Sequence, residues 1–370
     1  MDQVPSSPAR SQALIYDGRL GELYGIFLLN ILFTVLTLGI WRFWAITRYR
    51  RYFWSHTQFG GERFEYTGKG GELFVGFLLA GLVLVGSVAV AFGLAFVLGM
   101  IWPPLAVLPI VLLYGLVIVL AAGAVFSAQR YRLTRTVWRG IRGGMTGSML
   151  RYGLAAVLYT LAAAFTLMQL LPWAQVRLAE RRINASNFGS SRFAFQGQAG
   201  QLYGAFLLTF LAAAALFAAI AMAEWVVLQS LLPVIFNHSG AVAAPELPPG
   251  LALALVGGML AFSIGAGLIG CWFRALFERH VVGRTTLGPL QFSSTMSGTG
   301  LLGLVVGNLL ILLFTLGLGF PVVLHRNATF LARTLWVSGS LDLVALTQST
   351  TGAARFGEGM FQQLDGGGIL

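Results

Sequence analysis

The chain has 370 residues, 57% of them apolar and only 10% charged, with a formal net charge of +11. A soluble domain carries about 25% charged residues, so this composition excludes one and predicts an integral membrane protein. The single cysteine, Cys271, excludes an internal disulfide or a thiolate metal site, and His56, His238, His280 and His325 lack metal-ligand spacing.

Residues 1–10 are polar and rich in Pro and Ser, which predicts no cleavable signal peptide. The first apolar run, 22–41, is then a membrane segment. Further runs cover 72–101, 104–128, 150–173, 202–232, 250–273 and 300–324, so about seven transmembrane segments are predicted. Trp102-Pro103-Pro104 separates the second run from the third, a tight hairpin, and a polar, Pro-rich stretch at 237–250 joins the fifth to the sixth. Gly68-Lys69-Gly70-Gly71 lacks the spacing of a nucleotide-binding loop.

An aromatic-x-Gly-x-x-Gly-[Glu/Gln]-Leu-aromatic pattern opens at Tyr16, Tyr66 and Phe195, each time at the mouth of an apolar run. A shift of 129 residues lays 43–79 on 172–208 without a gap, and a shift of 278 lays the first segment on the last. The chain thus reads A-B-A-B-A. A is a single segment ending in a Thr-Leu-x signature with a later Arg, and B is a helical hairpin. The fold class is an all-α polytopic membrane protein in internal repeats, with short extended segments at the membrane surface. The units are 1–149, 150–299, and 300–370 with the C-terminal tail. Alternation in Arg63-Phe64-Glu65-Tyr66 and Arg192-Phe193-Ala194-Phe195 predicts strands, each followed by a glycine turn and a helix. Glu22, Glu72 and Gln201 open the helices, where a dipole favours negative charge.

Asn30 with Thr37-Leu38-Gly39-Ile40-Trp41, Trp44, Arg48 and Arg51-Tyr52, then Phe64 to Gly68 and Glu72-Leu73-Phe74, resembles the YjgN family of bacterial inner-membrane proteins. The second copy departs from the pattern, with Leu167-Met168 for Leu-Gly and Gln201 for Glu. In the last copy Pro321 stands at the Phe43 position. The resemblance implies a multi-pass protein of the bacterial inner membrane and a domain of unknown function; it implies no reaction.

The basic residues are arginines except Lys69. A GC-rich genome accounts for that, with bidentate phosphate recognition as the functional alternative. Arg-rich loops at 42–71 and 129–149 lie on one side of the first hairpin, which makes that side cytoplasmic. If each A segment crosses once, the basic stretch 174–199 falls on the opposite side and the repeats are inverted. If A segments enter and leave on one side, all basic loops gather there. Segment length favours crossing.

Arg48, Arg177 and Arg326 share one repeated position past an A segment, either as a ring for an anionic headgroup or as snorkelling anchors. Asn30 and Asn308 lie within apolar runs and suit interhelical hydrogen bonds. Glu224 is an intramembrane acid, a functional candidate by default. No catalytic constellation, metal cluster or cofactor motif is visible, so no enzyme is predicted. The leading function is a transporter or channel-like protein for a small solute or lipid. The alternative is a non-transporting scaffold whose Arg-rich loops engage anionic lipid or a cytoplasmic partner. Membrane lipids, mainly anionic, are the expected partners; no nucleic acid is expected, and homo-oligomerisation stays open.

Overall fold

A computed structural model describes residues 12–237 and 249–339. The expectations placed on 1–10, on most of the 237–250 joint with His238, and on the C-terminal tail lie outside the described residues. Strands β1 (Gln12–Ala13) and β2 (Ile15–Tyr16) lead into helices α1 (Leu20–Leu36) and α2 (Arg42–Ser55). Strands β3 (Thr57–Phe59) and β4 (Glu62–Tyr66) precede α3 (Gly70–Ile101) and α4 (Val107–Thr134). Strands β5 (Thr136–Trp138) and β6 (Ile141–Met145) precede α5 (Met149–Phe165) and α6 (Leu171–Ile183). Strands β7 (Ser186–Phe188) and β8 (Ser191–Phe195) precede α7 (Tyr203–Asn237) and α8 (Pro249–Gly283). Strands β9 (Thr285–Leu287) and β10 (Leu290–Ser294), helices α9 (Gly298–Phe314) and α10 (Phe320–Thr334), and β11 (Leu335–Ser338) follow.

By internal contact there are two compact units. One holds the described residues up to 198 with 280–295 and those from 311 onward; the other holds 199–279 and 296–310. Every strand belongs to the first unit.

In that unit the predicted strands at 63–66 and 192–195 are present, but they are not isolated surface segments. All strands pair antiparallel in one sheet, in the order β1-β11-β10-β9-β8-β7-β6-β5-β4-β3-β2. Only Leu14 separates β1 from β2, so the ladder returns to the segment where it began. The two ends of the sheet are thus two-residue strands of one segment, too short to offer a long edge to another chain. The chain is mostly helical, as expected, but the sheet makes all-α too narrow a class. Strands of three residues, such as β3, β5, β7 and β9, are too short to show alternation, and only their five-residue partners announce themselves.

Each pair of helices leaves this sheet and comes back to it. Five backbone hydrogen bonds close the bases of the pairs. The amides of Asp17, Thr67, Thr146, Gln196 and Thr295 donate to the carbonyls of His56, Arg135, Ala185, Arg284 and Thr334. The sequence shifts reappear in this set: 129 residues carry Asp17 to Thr146 and Thr67 to Gln196, and 278 carry Asp17 to Thr295. The aromatic-x-Gly motif explains itself here. A Cβ on Gly68 would lie 2.6 Å from the Tyr66 ring, and one on Gly18 or Gly197 would strike the ring of Tyr16 or Phe195. The ring folds over the glycine that follows it, and only a hydrogen fits beneath.

The A segments do not cross once. The chain enters α1 beside the place where it leaves α2, so the α1–α2 pair makes no net passage, and α5–α6 returns in the same way. The reason lies in the Thr-Leu-x signature. The Thr37 hydroxyl donates to Phe33 O at 2.7 Å and accepts from Trp41 N at 2.9 Å, bridging the end of one helix and the approach to the next. Thr166 and Thr315 make the same two bonds. Gly39 N donates to Thr34 O, the long bond of a Schellman turn. Its left-handed residues are Leu38 and Gly39 in the first tip, Leu316 and Gly317 in the last, and Leu167 and Met168 in the second. What the sequence presents as basic loops at 42–71 and 174–199 contains the return helices α2 and α6. Their Arg content hides them from an apolar search.

Among the described residues four helical stretches are long and apolar enough to cross a membrane: 70–101, 103–134, 199–230 and 252–283. The other three predicted segments become the 17-residue helices α1, α5 and α9. In the long helices large apolar side chains point outward, with Met100 75% and Leu82 68% exposed. A soluble monomer rarely shows contiguous apolar patches above a few hundred Å², so lipid is their solvent. In the second unit α7 and α8 approach closely, because Gly258 and Gly265 leave room for Glu224 and Leu216. Phe206 meets Phe273 edge to face at 5.5 Å.

Candidate functional site

The ring of strands has an apolar interior. Phe59, Phe64, Trp138, Phe188, Phe193, Leu287, Phe292 and Val337 line one cavity of about 220 Å³, joined by Leu14 at the seam. Residues from so many strands can share one cavity only if they face the inside of the ring. Alternation puts them there: Phe64 stands opposite Trp138, and Phe193 opposite Leu287. At β6 the register places Gly143 opposite Phe188. A Cβ on Gly143 would sit 2.7 Å from Leu133 O, so helix α4 presses against the strand at that point. The rings contact in series, Phe59 to Trp138 at 5.4 Å, Trp138 to Phe188 at 6.0 Å, and Phe193 to Phe292 at 6.1 Å. This is favourable edge and offset packing.

Leu14 and Phe64 also line a second cavity of about 460 Å³, between α2, α4 and α10, so the two adjoin at these side chains. Its walls mix Phe53, Trp54, Leu133 and Leu331 with Thr57, Gln129, Arg132 and Thr136. Trp54 Nε1 donates to Thr136 Oγ1 at 2.8 Å, fixing one wall. The volume falls within the roughly 300–1,000 Å³ typical of small-molecule sites. The pair of cavities can take an amphiphile, with the chain among the aromatic rings and the polar end beside Arg132 and Gln129.

Charge collects on the outside of the ring. Arg63, Arg142 and Arg192 are exposed on β4, β6 and β8, each pairing with the preceding strand at the same register position. Arg63 also grips Asp17 through both guanidinium nitrogens, at 3.2 and 2.5 Å, and holds that carboxyl below the usual carboxylate range. Arg50 is fully buried and donates to Tyr66 Oη at 3.3 Å, packing the base of α2 onto β4.

The predicted site residues fall into separate places. Glu22 and Glu72 are clasps between a helix start and the return of its partner. Glu72 pairs with Arg135 at 2.9 Å and accepts from Tyr131 Oη at 3.0 Å; Glu22 meets His56 at 3.4 Å. Gln201 lies in the short 3₁₀ turn before α7. Arg48 and Arg177 make local contacts. Arg48 lies over the Trp41 ring at 5.9 Å, Arg177 pairs with Glu180 at 2.7 Å, and Arg326 is half-buried on α10. Asn30 is buried and accepts from Trp41 Nε1 at 3.2 Å, an interhelical tie. Asn308 lies on α9, and Glu224 sits on the glycine face of α8. None of these residues lines the ring or its chamber except through neighbours. Sequence reasoning found Phe64 and Phe193 by alternation and missed Phe59, Trp138, Phe188, Phe292 and Val337. Among the described residues no group of three His, Cys, Asp or Glu could hold a metal ion.

A family model described as a bacterial protein of unknown function (DUF898) matches residues 11–363. No curated protein and no solved structure matches the chain.

Proposed function

The chain belongs to the DUF898 family of bacterial proteins of unknown function, and for it we propose a non-enzymatic role as a multi-pass inner-membrane transporter of an amphiphile, a lipid or a small apolar solute with one polar end. The observation that carries this reading is the apolar lumen of the strand ring, which adjoins the chamber beside Arg132 at Leu14 and Phe64. A ring built only to hold helix ends together would be filled, because packed cores leave few voids larger than a water molecule. The ring face carries the exposed arginines, so it is the cytoplasmic side. The five closing hydrogen bonds support descent from repeated β-helix-helix-β units.

The test is exchange of a headgroup-labelled phospholipid between leaflets of proteoliposomes, read by a membrane-impermeant quencher. Wild type accelerates exchange over protein-free vesicles. Val337→Trp, which fills the lumen, returns the rate to background while the protein keeps its melting temperature. Equal rates for wild type, Val337→Trp and empty vesicles overturn the transport reading. They leave the scaffold reading, which the exposed Arg63, Arg142 and Arg192 favour through contact with anionic headgroups.

A further inference from the structure

A second cavity system lies away from the ring. Helices α1, α2 and α10 enclose a groove of about 450 Å³ that opens to the outside of the α1–α2 hairpin. Its walls are apolar for most of their length, with Phe27, Ile31, Ile46 and Phe320. Asn30 breaks the apolar wall midway along α1, and at the end nearest the tip Thr34 and Arg42 face the groove beside Val35 and Gly39. Arg42 is exposed, and no hydrogen bond or ion pair joins its guanidinium to the described residues. The groove is lined by no aspartate or glutamate.

This arginine is in an expensive place. It stands one helical turn past Leu38, which is 94% exposed at the apolar tip. The equivalent tips carry Leu316 at 91% and Phe165 at 87% exposure, so the tips face lipid. Helix α1 has 17 residues against 32 in α3, roughly 25 Å against 48 Å at about 1.5 Å per residue. Both leave the ring at their first turn, so the short tip stops well before the far end of the long hairpin. An ionised side chain at such depth is costly and points to function. Helix stability does not call for it either. Arg42 is the first residue of α2, where the dipole is positive and a cation has the wrong sign. The fold does not need it, because the same position is Leu171 in the second short hairpin and Phe320 in the third.

We propose that this groove is a lipid site, with the anionic head of a membrane amphiphile, phosphate or carboxylate, held at Arg42 and its chain laid along Ile31, Ile46 and Phe320. The guanidinium binds either oxyanion bidentately, and the positive end of α2 favours negative charge at the same point. Trp41 engages Asn30 Oδ1 and leaves Asn30 Nδ2 buried without a hydrogen bond, so Nδ2 and the Thr34 hydroxyl are the polar groups along α1. The site is independent of the ring lumen and would stand if that reading failed.

The experiment uses the full chain in nanodiscs and native mass spectrometry of retained lipid. Three probes are compared: phosphatidylglycerol, phosphatidylcholine and oleate. Arg42→Leu restores the residue of the second hairpin and should fold with an unchanged melting temperature. It should lower retention of the bound anion about five-fold, the factor expected for one basic residue at an anionic headgroup. Arg42→Lys should lie between, because a point charge keeps attraction and loses the fork. Ile31→Trp fills the groove without touching the charge and should lower retention as much. Loss of the two phospholipids alone identifies the phosphate, and loss of oleate alone the carboxylate. Retention unchanged in Arg42→Leu overturns the proposal, whether or not Ile31→Trp has an effect, since a groove indifferent to Arg42 is not an anion site. On a Val337→Trp background, which removes any lipid held in the ring lumen, the retention lost on Arg42→Leu should be the same as on the wild-type background.

Discussion

The short hairpin α1–α2 and the long hairpin α3–α4 are built alike at the base and differently at the tip. Both begin after an aromatic-x-Gly element, both close with an amide-to-carbonyl bond between their ends, and both carry an acid that clasps the returning helix, Glu22 to His56 and Glu72 to Arg135. The short one turns on Thr37, Leu38 and Gly39 after 17 residues. The long one turns on Trp102 and the prolines that follow, after 32. The base therefore sets where a hairpin stands in the ring, and the turn sets how deep it reaches. Short and long hairpins are alike at the base and differ at the tip, while the short hairpins share one tip turn among themselves.

Breaking the base should cost most. Gly68→Val places two methyl groups against the Tyr66 ring at a fully buried position. Overpacking of this kind costs about 1–3 kcal/mol. The expected outcome is a melting temperature several degrees lower in detergent, with Gly71→Val, where a Cβ meets nothing within 4 Å, as the milder control. Equal losses would mean that the ring does not fold over the glycine.

A smaller effect of opposite sign is expected at a tip. Leu167 and Met168 both adopt positive φ, 50° and 67°, where the other short hairpins pair leucine with glycine. The left-handed region costs an L-residue roughly 1–2 kcal/mol. Met168→Gly should recover about 1 kcal/mol and raise the melting temperature, while Gly39→Met in the first tip should lower it. A loss of stability in Met168→Gly would show that the Met side chain packs usefully and that depth is not set by turn conformation alone.

These features differ in how far the sequence discloses them. Strand alternation in 63–66 and 192–195, the glycine motif, and the shifts of 129 and 278 residues are local patterns, and they lead to β4, β8 and the closing bonds. The ring itself is not local. Phe59, Trp138 and Phe188 each sit in a three-residue strand, and only pairing with a neighbour tells which way they face. The return helices α2 and α6 hide for another reason: Arg42, Arg48, Arg50 and Arg51 make α2 polar, so a search for apolar runs ends at residue 41. That oversight is what made single crossings attractive for the A segments. Arg48, Arg177 and Arg326 lie on three return helices, and the contacts of the first two differ, Arg48 over the Trp41 ring and Arg177 with Glu180.

The central claim is that every described helix pair of the first unit leaves and rejoins the ring on one side of the membrane. The direct test is cysteine accessibility in oriented vesicles, on a Cys271→Ser background, with single cysteines at Arg19, Gly60, Leu38 and Trp102 and an impermeant maleimide. Arg19 and Gly60 bracket the short hairpin. The account predicts that both react from the same side, that Trp102 reacts only from the other, and that Leu38 reacts from neither. Labelling of Arg19 and Gly60 from opposite sides would contradict it, because the chain between them would then have crossed.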